Sequence, residues 1–587
     1  MVHPFSPHDL SELSAFLNEL AFSLTWEAPP SPSLPPASAD AAKQLRESVL
    51  RLLSLLTERD ARRAFCPPGA WLVRRLSLPQ LRREMGEKKP RARSLLSTMP
   101  WAVPFEERVN VFRDLVSAEK ASLPGEQMPE HLKGKHIKVR RASVLEDGYV
   151  QLSAGDAQQL KGTIRVEFVS ELGLPEAGID RTGVFKEFLE EVIAKAFDAD
   201  RGLFAHTPAQ RIYPSPNSEL ADPNHLRLFE FIGRMLGKAL YEGIVLDLPL
   251  ADFFVAKFLG KHNSLDELPS LDEQVHVVPI ATSLRSVRRV GDACSQLFSS
   301  LDLLKRYDGD VENDLCLTFV VDEEVELRDG GRSIPVTRDN RIEYVHLMAD
   351  YRLNKQIGSQ SRAIVSGLGQ VVPAGWLRFF STPELQRLIG GDDVAIDVAD
   401  LKRHTRYAGG YNDFSPTVRD FWAVVGEFSR EERGLLLKFV TSCSKPPLLG
   451  FAHMQPQFTI QCVSAEGSEM PSVLAFLGMG RRETGRLPTS ATCFNLLKLP
   501  NFKSKKLLRD KLCKASPVTR ISLMHVPPLR TAAPLQYTPS SQLQDSNSPD
   551  QAWRASLLFC FIIRVSTLTR VHQRVQDMHG PLTFNGT

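Results

Sequence analysis

One cysteine of this chain stands where a reactive side chain could be displayed. Cys493 lies in the stretch RLPTSATCFNLLKLPNF (486–502). Residues 488–490 predict a turn, and the apolar residues of 494–499 predict a mostly buried strand that Pro500 closes. A thiolate at such a junction could act as a nucleophile, whereas most free cysteines are small buried hydrophobes. The local pattern alone favours the buried role.

The bulk composition is that of an ordinary globular protein with several domains. The chain has 587 residues, 42% hydrophobic and 24% charged, and this length predicts about three or four units. The net charge of +3 gives no reason to expect nucleic-acid or membrane binding.

The cysteines and the apolar runs argue against a metal-stabilised, a secreted and a membrane-spanning protein. The eight cysteines are scattered without a C-x-x-C pair, which argues against a structural metal site and for free thiols in a reducing compartment. The N-terminus lacks the pattern of a secretory signal. The most apolar run, SLLFCFIIRV (556–565), is too short to cross a bilayer.

Helical patterns dominate residues 1–134. Residues 7–22 and 39–58 predict helices, and the proline-rich stretch APPSPSLPPAS (28–38) predicts an extended linker between them. The basic run RREMGEKKPRAR (82–93) fits a solvated helix face better than a targeting or partner patch. We expect a short helical region without a recognisable binding module.

From about residue 160 the pattern mixes strands with amphipathic helices. Residues 162–169 alternate as a half-buried strand does, and residues 181–197 predict a helix with one apolar and one charged face. Residues 225–243 are apolar nearly all round and predict a central buried helix. Residues 330–351 predict a turn, a strand and then a helix.

A capping signature marks the next helix, in FSTPELQRLIGG (380–391). Ser381 or Thr382 is the expected N-cap, and Glu384 is placed to complete a capping box. Gly390 suits the C-terminal end of the helix.

Two glycines, Gly409 and Gly410, stand between aromatic residues in RYAGGYNDF (406–414). The pair fits a hinge and a plain turn equally well. The segments after it predict a compact α+β unit with two helices, strands and a last helix, at about 416–428, 432–443, 457–463 and 504–512.

Taken together, these stretches resemble the HECT family of ubiquitin ligases. LPTSATCFNLLKLP (487–500) resembles the active-site loop of that family. The upstream motifs of the family are present in order: GIDRTGVFKEFLEEV, FEFIGRMLGKALYEGIVLDLPLADFF, LKRYDGD, FSTPELQRLIGG, YAGGY and LLKFVTSCSKPPLLGF. The resemblance covers roughly residues 135–512. It is strongest to the subgroup whose longer members carry an N-terminal IQ motif, and since no such motif is found here, we expect a chain truncated at its start.

The resemblance implies an α+β, bilobal catalytic domain behind a helical region at 1–134. The N-lobe (135–408) would dock a ubiquitin-conjugating enzyme (E2), and the C-lobe (412–512) would carry the nucleophile. The segment 409–411 would be the hinge, with the Gly409–Gly410 pair as the pivot, because glycine tolerates backbone angles that other residues resist.

The resemblance also assigns the chemistry. Cys493 matches the nucleophile of the family, and Thr492 and Phe494 flank it as supporting loop residues. The chain would accept ubiquitin from an E2 as a thioester on Cys493 and pass it to substrate lysines, in protein ubiquitination and proteasomal degradation in the cytoplasm. No metal or other cofactor is expected, and the sequence identifies no residue that takes the proton from the lysine.

Three segments depart from the family pattern. Ala491 stands where a histidine often precedes the Thr-Cys pair. Residues 273–300 replace a shorter N-lobe segment and fit a tolerated surface loop and an impaired E2 site equally well. Residues 513–587 are unrelated to the expected C-terminus and predict a disordered tail, which could block lysine transfer.

Two other functions compete with ligation. A cysteine hydrolase would need a histidine base beside Cys493, and every histidine after it lies in the anomalous tail. A transfer-impaired scaffold that binds E2 or ubiquitin without completing ligation is the stronger alternative, because of the insertion and the tail.

Overall fold

The chain has the α+β fold predicted from its sequence. The structure is a computed structural model, and it describes residues 6–27, 36–123, 134–153, 155, 157–170, 174, 183–271, 297–322, 325–463, 487–502 and 504–515. Residues 28–35 of the predicted linker, 273–296 of the predicted insertion and 516–587 of the predicted tail lie outside the described residues.

Helices make up most of the described residues. In chain order they are α1 (Pro7–Phe22), α2 (Pro36–Arg62), α3 (Leu78–Gly86), α4 (Pro90–Thr98), α5 (Phe105–Ala121), α6 (Val144–Leu152), α7 (Ala157–Lys161), α8 (Gly183–Ala196), α9 (Ser218–Ala221), α10 (His225–Glu242), α11 (Asp252–Phe258), α12 (Leu297–Leu304), α13 (Val311–Leu315), α14 (Arg341–Asp350), α15 (Gly358–Val371), α16 (Ala374–Leu377), α17 (Thr382–Gly390), α18 (Val398–Arg403), α19 (Pro416–Glu427), α20 (Arg430–Thr441) and α21 (Lys505–Ala515).

The strands form small sheets. In chain order they are β1 (Lys135–Arg140), β2 (Ile164–Val169), β3 (Phe204–His206), β4 (Ile212–Pro214), β5 (Val320–Val321), β6 (Val325–Glu326), β7 (Arg406–Ala408), β8 (Thr459–Val463), β9 (Thr489–Ala491) and β10 (Leu496–Pro500). β1 pairs with β2 in parallel, and β3–β4 and β5–β6 are antiparallel pairs.

Two compact units divide the described residues. The first unit contains the described parts of Met1–Lys195, Glu230–Leu248 and Ser366–Arg520. The second contains those of Ala196–Phe229 and Pro249–Val365. In the second unit the rings of Phe197 and Phe204 stack, with centroids 4.0 Å apart. Across the part of the chain that the structure describes, no helix is both long and apolar enough to cross a membrane.

The sheet that positions Cys493 lies in the first unit. Its strand order is β7-β8-β10-β9. β8 pairs in parallel with both β7 and β10, whereas β9 runs antiparallel to β10 at the edge. Helices pack on this sheet around one apolar core, formed by Ile396, Leu401, Tyr411, Val418, Phe421, Trp422, Val424, Val425, Phe428, Leu436, Leu437, Val440, Phe451, Phe458, Ile460, Leu497, Leu499, Phe502, Leu508 and Leu512.

Helix α17 begins at the predicted N-cap and has Gly390 at its C-terminal end, as predicted. Ser381 is the N-cap, and the Glu384 carboxylate accepts hydrogen bonds from the Ser381 backbone N–H (2.8 Å) and its hydroxyl (2.9 Å). Gly390 is the last helical residue, and Gly391 follows with φ of +79°. The left-handed backbone after a helix favours glycine, so Gly391 serves as the C-cap that follows α17.

The strand predicted within residues 330–351 is absent. A short 3-10 turn at Gly331–Ser333 is followed by an isolated bridge between Pro335 and Thr318, and then by α14. Proline has no backbone N–H and so cannot donate to a ladder, which explains why the apolar pattern here does not become a strand.

Helix α5 of the N-terminal region packs on the segment just before and within α17. The rings of Phe105 and Phe112 each meet Phe380 edge-to-face, with centroids 6.0 Å apart in both pairs. Arg108 is 4% exposed and forms a two-pronged ion pair with the Glu384 carboxylate. The predicted helical region is therefore continuous with the core of the first unit.

Candidate catalytic turn

Cys493 occupies the middle of a tight turn at the edge of the β7-β8-β10-β9 sheet. The chain leaves β9, makes one 3-10 turn over Thr492–Phe494 and enters β10 at Leu496. Phe494 was predicted to start the buried strand, but it belongs to the turn and is 37% exposed. The strand begins two residues later than predicted, at Leu496. The delay arises because Asn495 adopts a left-handed backbone, which reverses the chain before the strand begins.

Asn495 anchors this turn, a role that the local sequence pattern does not indicate. Its φ is +48° and it is only 2% exposed. Its side-chain amide donates to the Pro456 carbonyl (2.6 Å), and its own carbonyl accepts from the Thr459 N–H (2.9 Å). Asparagine tolerates the left-handed region better than most residues, so a polar Asn within the apolar residues of the predicted strand was the signal available.

Lys186 of α8 reaches the same turn from another part of the first unit. Its ammonium donates to the carbonyl of Thr492 (3.3 Å), to the side-chain oxygen of Asn495 (3.2 Å) and to the carbonyl of Thr441 (2.9 Å). An ammonium has three N–H donors, and these three acceptors use all of them. Sequence patterning assigns Lys186 only to the charged face of α8, so this role was not foreseen.

Acidic side chains of α8 lie next to Lys186. The Glu190 carboxylate is 3.7 Å from the Lys186 ammonium. Burial raises the pKa of Glu190, although the nearby Lys186 charge opposes that rise. Glu187 and Glu191 both accept hydrogen bonds from Arg141, at 2.9 and 2.7 Å. Glu190 is thus the carboxylate of α8 that shares Lys186 with the turn.

The other predicted site residues have distinct surroundings. Thr492 is half-buried, and its carbonyl closes the turn by accepting from the Asn495 N–H (3.2 Å). Gly409 and Gly410 follow β7 with φ of +66° and +93°. A Cβ on Gly409 would lie 2.6 Å from the Cys462 carbonyl oxygen, whereas one on Gly410 would meet open space. Gly409 is therefore needed for a close backbone approach.

Residues before the glycine pair belong to the same core as those after it. Ile396 and Leu401 pack with the residues of the α19, α20 and β10 core. The Phe451 N–H donates to the Asp400 carboxylate (2.9 Å), and β7 pairs with β8 over three residues. A rotation about Gly409 would break this pairing, a cost that the sequence pattern did not reveal.

Within the described ranges, no group of three or more His, Cys, Asp or Glu side chains could hold a metal ion. The turn brings together a cysteine, backbone amides and the Lys186 ammonium, and the Glu190 carboxylate lies beside that ammonium.

The fold and the turn agree with a comparison against protein families. Residues 190–519 match the HECT domain, described as a ubiquitin-transferase, and the chain belongs to this family. The matched range includes the whole β7-β8-β10-β9 sheet and Cys493.

Individual relatives extend the similarity beyond that domain. The chain is 44% identical over 532 residues to "Ubiquitin-protein ligase E3B" of Mus musculus, covering 86% of this chain and 47% of that protein. It is 43% identical to the protein of the same name from Homo sapiens, with the same coverage. "E3 ubiquitin-protein ligase HUL5" of Saccharomyces cerevisiae is 33% identical over 441 residues, covering 72% of this chain and 44% of that protein. The chain spans about half the length of these curated relatives.

Proposed function

We propose that this chain is a ubiquitin ligase that accepts ubiquitin from an E2 as a thioester on Cys493 and transfers it to substrate lysines. The observation that carries the proposal is the position of Cys493 in the turn between β9 and β10 of a HECT domain. The relatives are named ubiquitin ligases. None of these comparisons favours a scaffold that binds E2 without completing ligation.

The geometry of the turn suits an acyl exchange between thiols. The thiolate is the competent nucleophile, with an ordinary pKa of about 8.5. Backbone N–H groups of a tight turn are suited to stabilise the negative oxygen that forms when a thioester carbonyl is attacked. Thr492 and Phe494 then serve to hold this backbone. Thr492 closes the turn through its carbonyl, and Phe494 flanks Cys493 outside the apolar core.

The proposal keeps the two lobes but moves their boundary. Because Ile396 and Leu401 pack in the core that contains Cys493's sheet, the C-lobe begins near residue 396 rather than at 412. The pivot then falls in the short link between the end of α17 and Ile396, where Gly391 has a left-handed backbone. Gly409 and Gly410 remain structural glycines inside the C-lobe under this proposal.

The partners and the compartment follow from the same chemistry. An E2 and ubiquitin are the required partners of a HECT ligase, and the substrates include protein lysines, with proteasomal degradation as the proposed outcome. Cys493 must be a free thiol to react, and four described cysteines outside the turn are free thiols: Cys66, Cys316, Cys443 and Cys462. A reducing compartment such as the cytoplasm fits this state.

A thioester assay tests the proposal directly. The purified 587-residue chain is mixed with activating enzyme, each of several E2 enzymes and ubiquitin, and the products are separated with and without thiol. We expect an adduct that thiol removes and that Cys493→Ala abolishes, while Cys316→Ala, which alters an exposed free cysteine, retains it. Absence of the adduct with every E2 would refute the ligase function.

A further inference from the structure

The Lys186 ammonium connects helix α8 to both ends of the turn that carries Cys493. It binds the carbonyl of Thr492, directly before the cysteine, and the side-chain oxygen of Asn495, two residues after it. The Lys186 side chain is 16% exposed. A half-buried ammonium with all three donors satisfied holds its acceptors in a defined geometry.

The contact with Thr492 also determines the direction of the amide of Cys493. The Thr492 carbonyl and the Cys493 N–H belong to one planar trans peptide unit and point in opposite directions. When Lys186 fixes the carbonyl on one side, the N–H of Cys493 is fixed on the other. A cation at the carbonyl also polarises this peptide unit, which makes its N–H a stronger donor to a developing oxyanion.

This connection joins two predicted lobes, so it exists only while the C-lobe is docked on α8. Two other contacts accompany it within the first unit: the Lys438 ammonium lies 2.8 Å from the Asp247 carboxylate, and the Ser444 hydroxyl is 3.4 Å from the same group. Lys186 itself precedes the residues 190–519 that match the HECT domain.

The surroundings of the docked turn favour the second chemical step over the first. Exchange of ubiquitin between two cysteines replaces one thiolate by another and leaves no proton to remove. Attack by a lysine amine forms a C–N bond and breaks the C–S bond, whose electron pair leaves on the Cys493 sulfur; the proton that the amine loses ends on that sulfur. A carboxylate beside the turn attracts the lysine and is suited to relay that proton from the amine to the sulfur. Glu190 lies 3.7 Å from the Lys186 ammonium that binds the turn.

We propose that Lys186 is a positioning residue for lysine transfer, and that it holds the Cys493 turn and its amide in place only in the docked arrangement. The inference rests on the ligase function proposed above. Removal of Lys186 should leave loading from the E2 largely intact and slow discharge to lysine.

The test compares Lys186→Met and Lys186→Arg with Lys195→Met, which removes an exposed lysine of the same helix. Single-turnover experiments on the 587-residue chain measure two rates: loading of Cys493 from the charged E2, and discharge of the loaded chain to free lysine. We expect Lys186→Met to load within about twofold of the unmodified chain and to discharge between about ten and a hundred times more slowly, as misplacement of reacting groups does. Lys186→Arg should regain most of the discharge rate, because it keeps the charge.

Hydrogen exchange of the resting chain supplies a readout that does not depend on turnover. A peptide covering residues 489–497 should exchange about tenfold faster in Lys186→Met, since local opening becomes easier, and should be unchanged in Lys195→Met. The thermal midpoint of each variant checks folding, with Lys186→Gln as the substitute if the Met variant is unstable.

Each result decides the matter. Unchanged discharge, equal slowing of loading and discharge, unchanged exchange in 489–497, or equal defects in the Met and Arg variants would overturn the role of Lys186 while leaving the ligase function standing. An unmodified chain that loads but never discharges to lysine would also overturn it. Failure of the unmodified chain to load would instead refute the proposed function.

Discussion

Breaking the ion pair between Arg108 and Glu384 should loosen the start of α17 strongly. Arg108 is 4% exposed, and its guanidinium also donates to the carbonyls of Val103 (2.9 Å) and Phe379 (2.6 Å). Arg108→Met keeps the apolar contacts but leaves the Glu384 carboxylate, which is 21% exposed, without its cation. Loss of one partner of a buried pair costs about 3 to 5 kcal/mol, and the remaining bonds from Ser381 place this case near the lower end.

Hydrogen exchange of peptides from α17 is the direct assay. A loss of about 3 kcal/mol makes local opening roughly a hundred times more frequent, and the exchange rates should rise by that factor. The matched control is Arg82→Met, which removes a more exposed ion pair between Arg82 and Glu107 of α5. Such surface pairs contribute at most about 1 kcal/mol. Equal effects of the two substitutions, or no change in α17, would show that the buried pair does not hold this helix.

Three further results are expected. Gly409→Ala should lower the thermal midpoint of the C-lobe more than Gly410→Ala. Both substitutions place alanine at positive φ, which costs about 1 to 2 kcal/mol of stability each, but only the Cβ at 409 meets a backbone oxygen. Equal losses of stability would contradict the packing at Gly409. Asn495→Gly should retain more thioester formation on the non-reducing gel than Asn495→Ala. Both variants lose the side-chain hydrogen bonds, but only glycine tolerates the left-handed backbone at this position. The reverse order would exclude a requirement for that backbone conformation. Burial alone would raise the pKa of Glu384, but the hydrogen bonds and charge of Arg108 outweigh burial and lower that pKa. This carboxylate therefore stabilises the fold at pH values above its unfolded pKa, near 4.5. The stabilisation is lost as the pH falls through the lower folded pKa. Urea unfolding between pH 6 and 3 should therefore show a smaller pH dependence in Glu384→Gln, and an unaltered dependence would refute the assignment.

Local signals in the sequence predicted local structure well. The capping box of α17 was readable because Ser381 and Glu384 are three residues apart, and the bounds of α1 at 7–22 agree with its apolar periodicity. The pattern also placed Gly390 at the C-terminal end of α17, but it did not identify Gly391 as the C-cap, since that choice depends on where the last backbone hydrogen bond forms.

Features that depend on distant parts of the chain could not be read in this way. Lys186 and Thr492 are 306 positions apart, and nothing in the periodicity of α8 separates a lysine that binds a distant turn from one that faces water. The glycine pair at 409–410 gave a similar difficulty. Its conformational freedom suggested motion, whereas the packing of Ile396 and the pairing of β7 show that the chain on both sides of it belongs to one core.

The packing of α5 separates the boundary of homology from the boundary of folding. The family match begins at residue 190, yet Phe105 and Phe112 cover Phe380, and Arg108 supplies the counter-charge of Glu384. A polypeptide that starts where the matched domain starts would expose this aromatic cluster to water and leave a carboxylate uncompensated. If the chain were instead cut once between α5 and β1, the two fragments should remain associated without a covalent bond and migrate together in size-exclusion chromatography. Residues upstream of the matched domain thus complete the packed interior that this domain needs in order to fold.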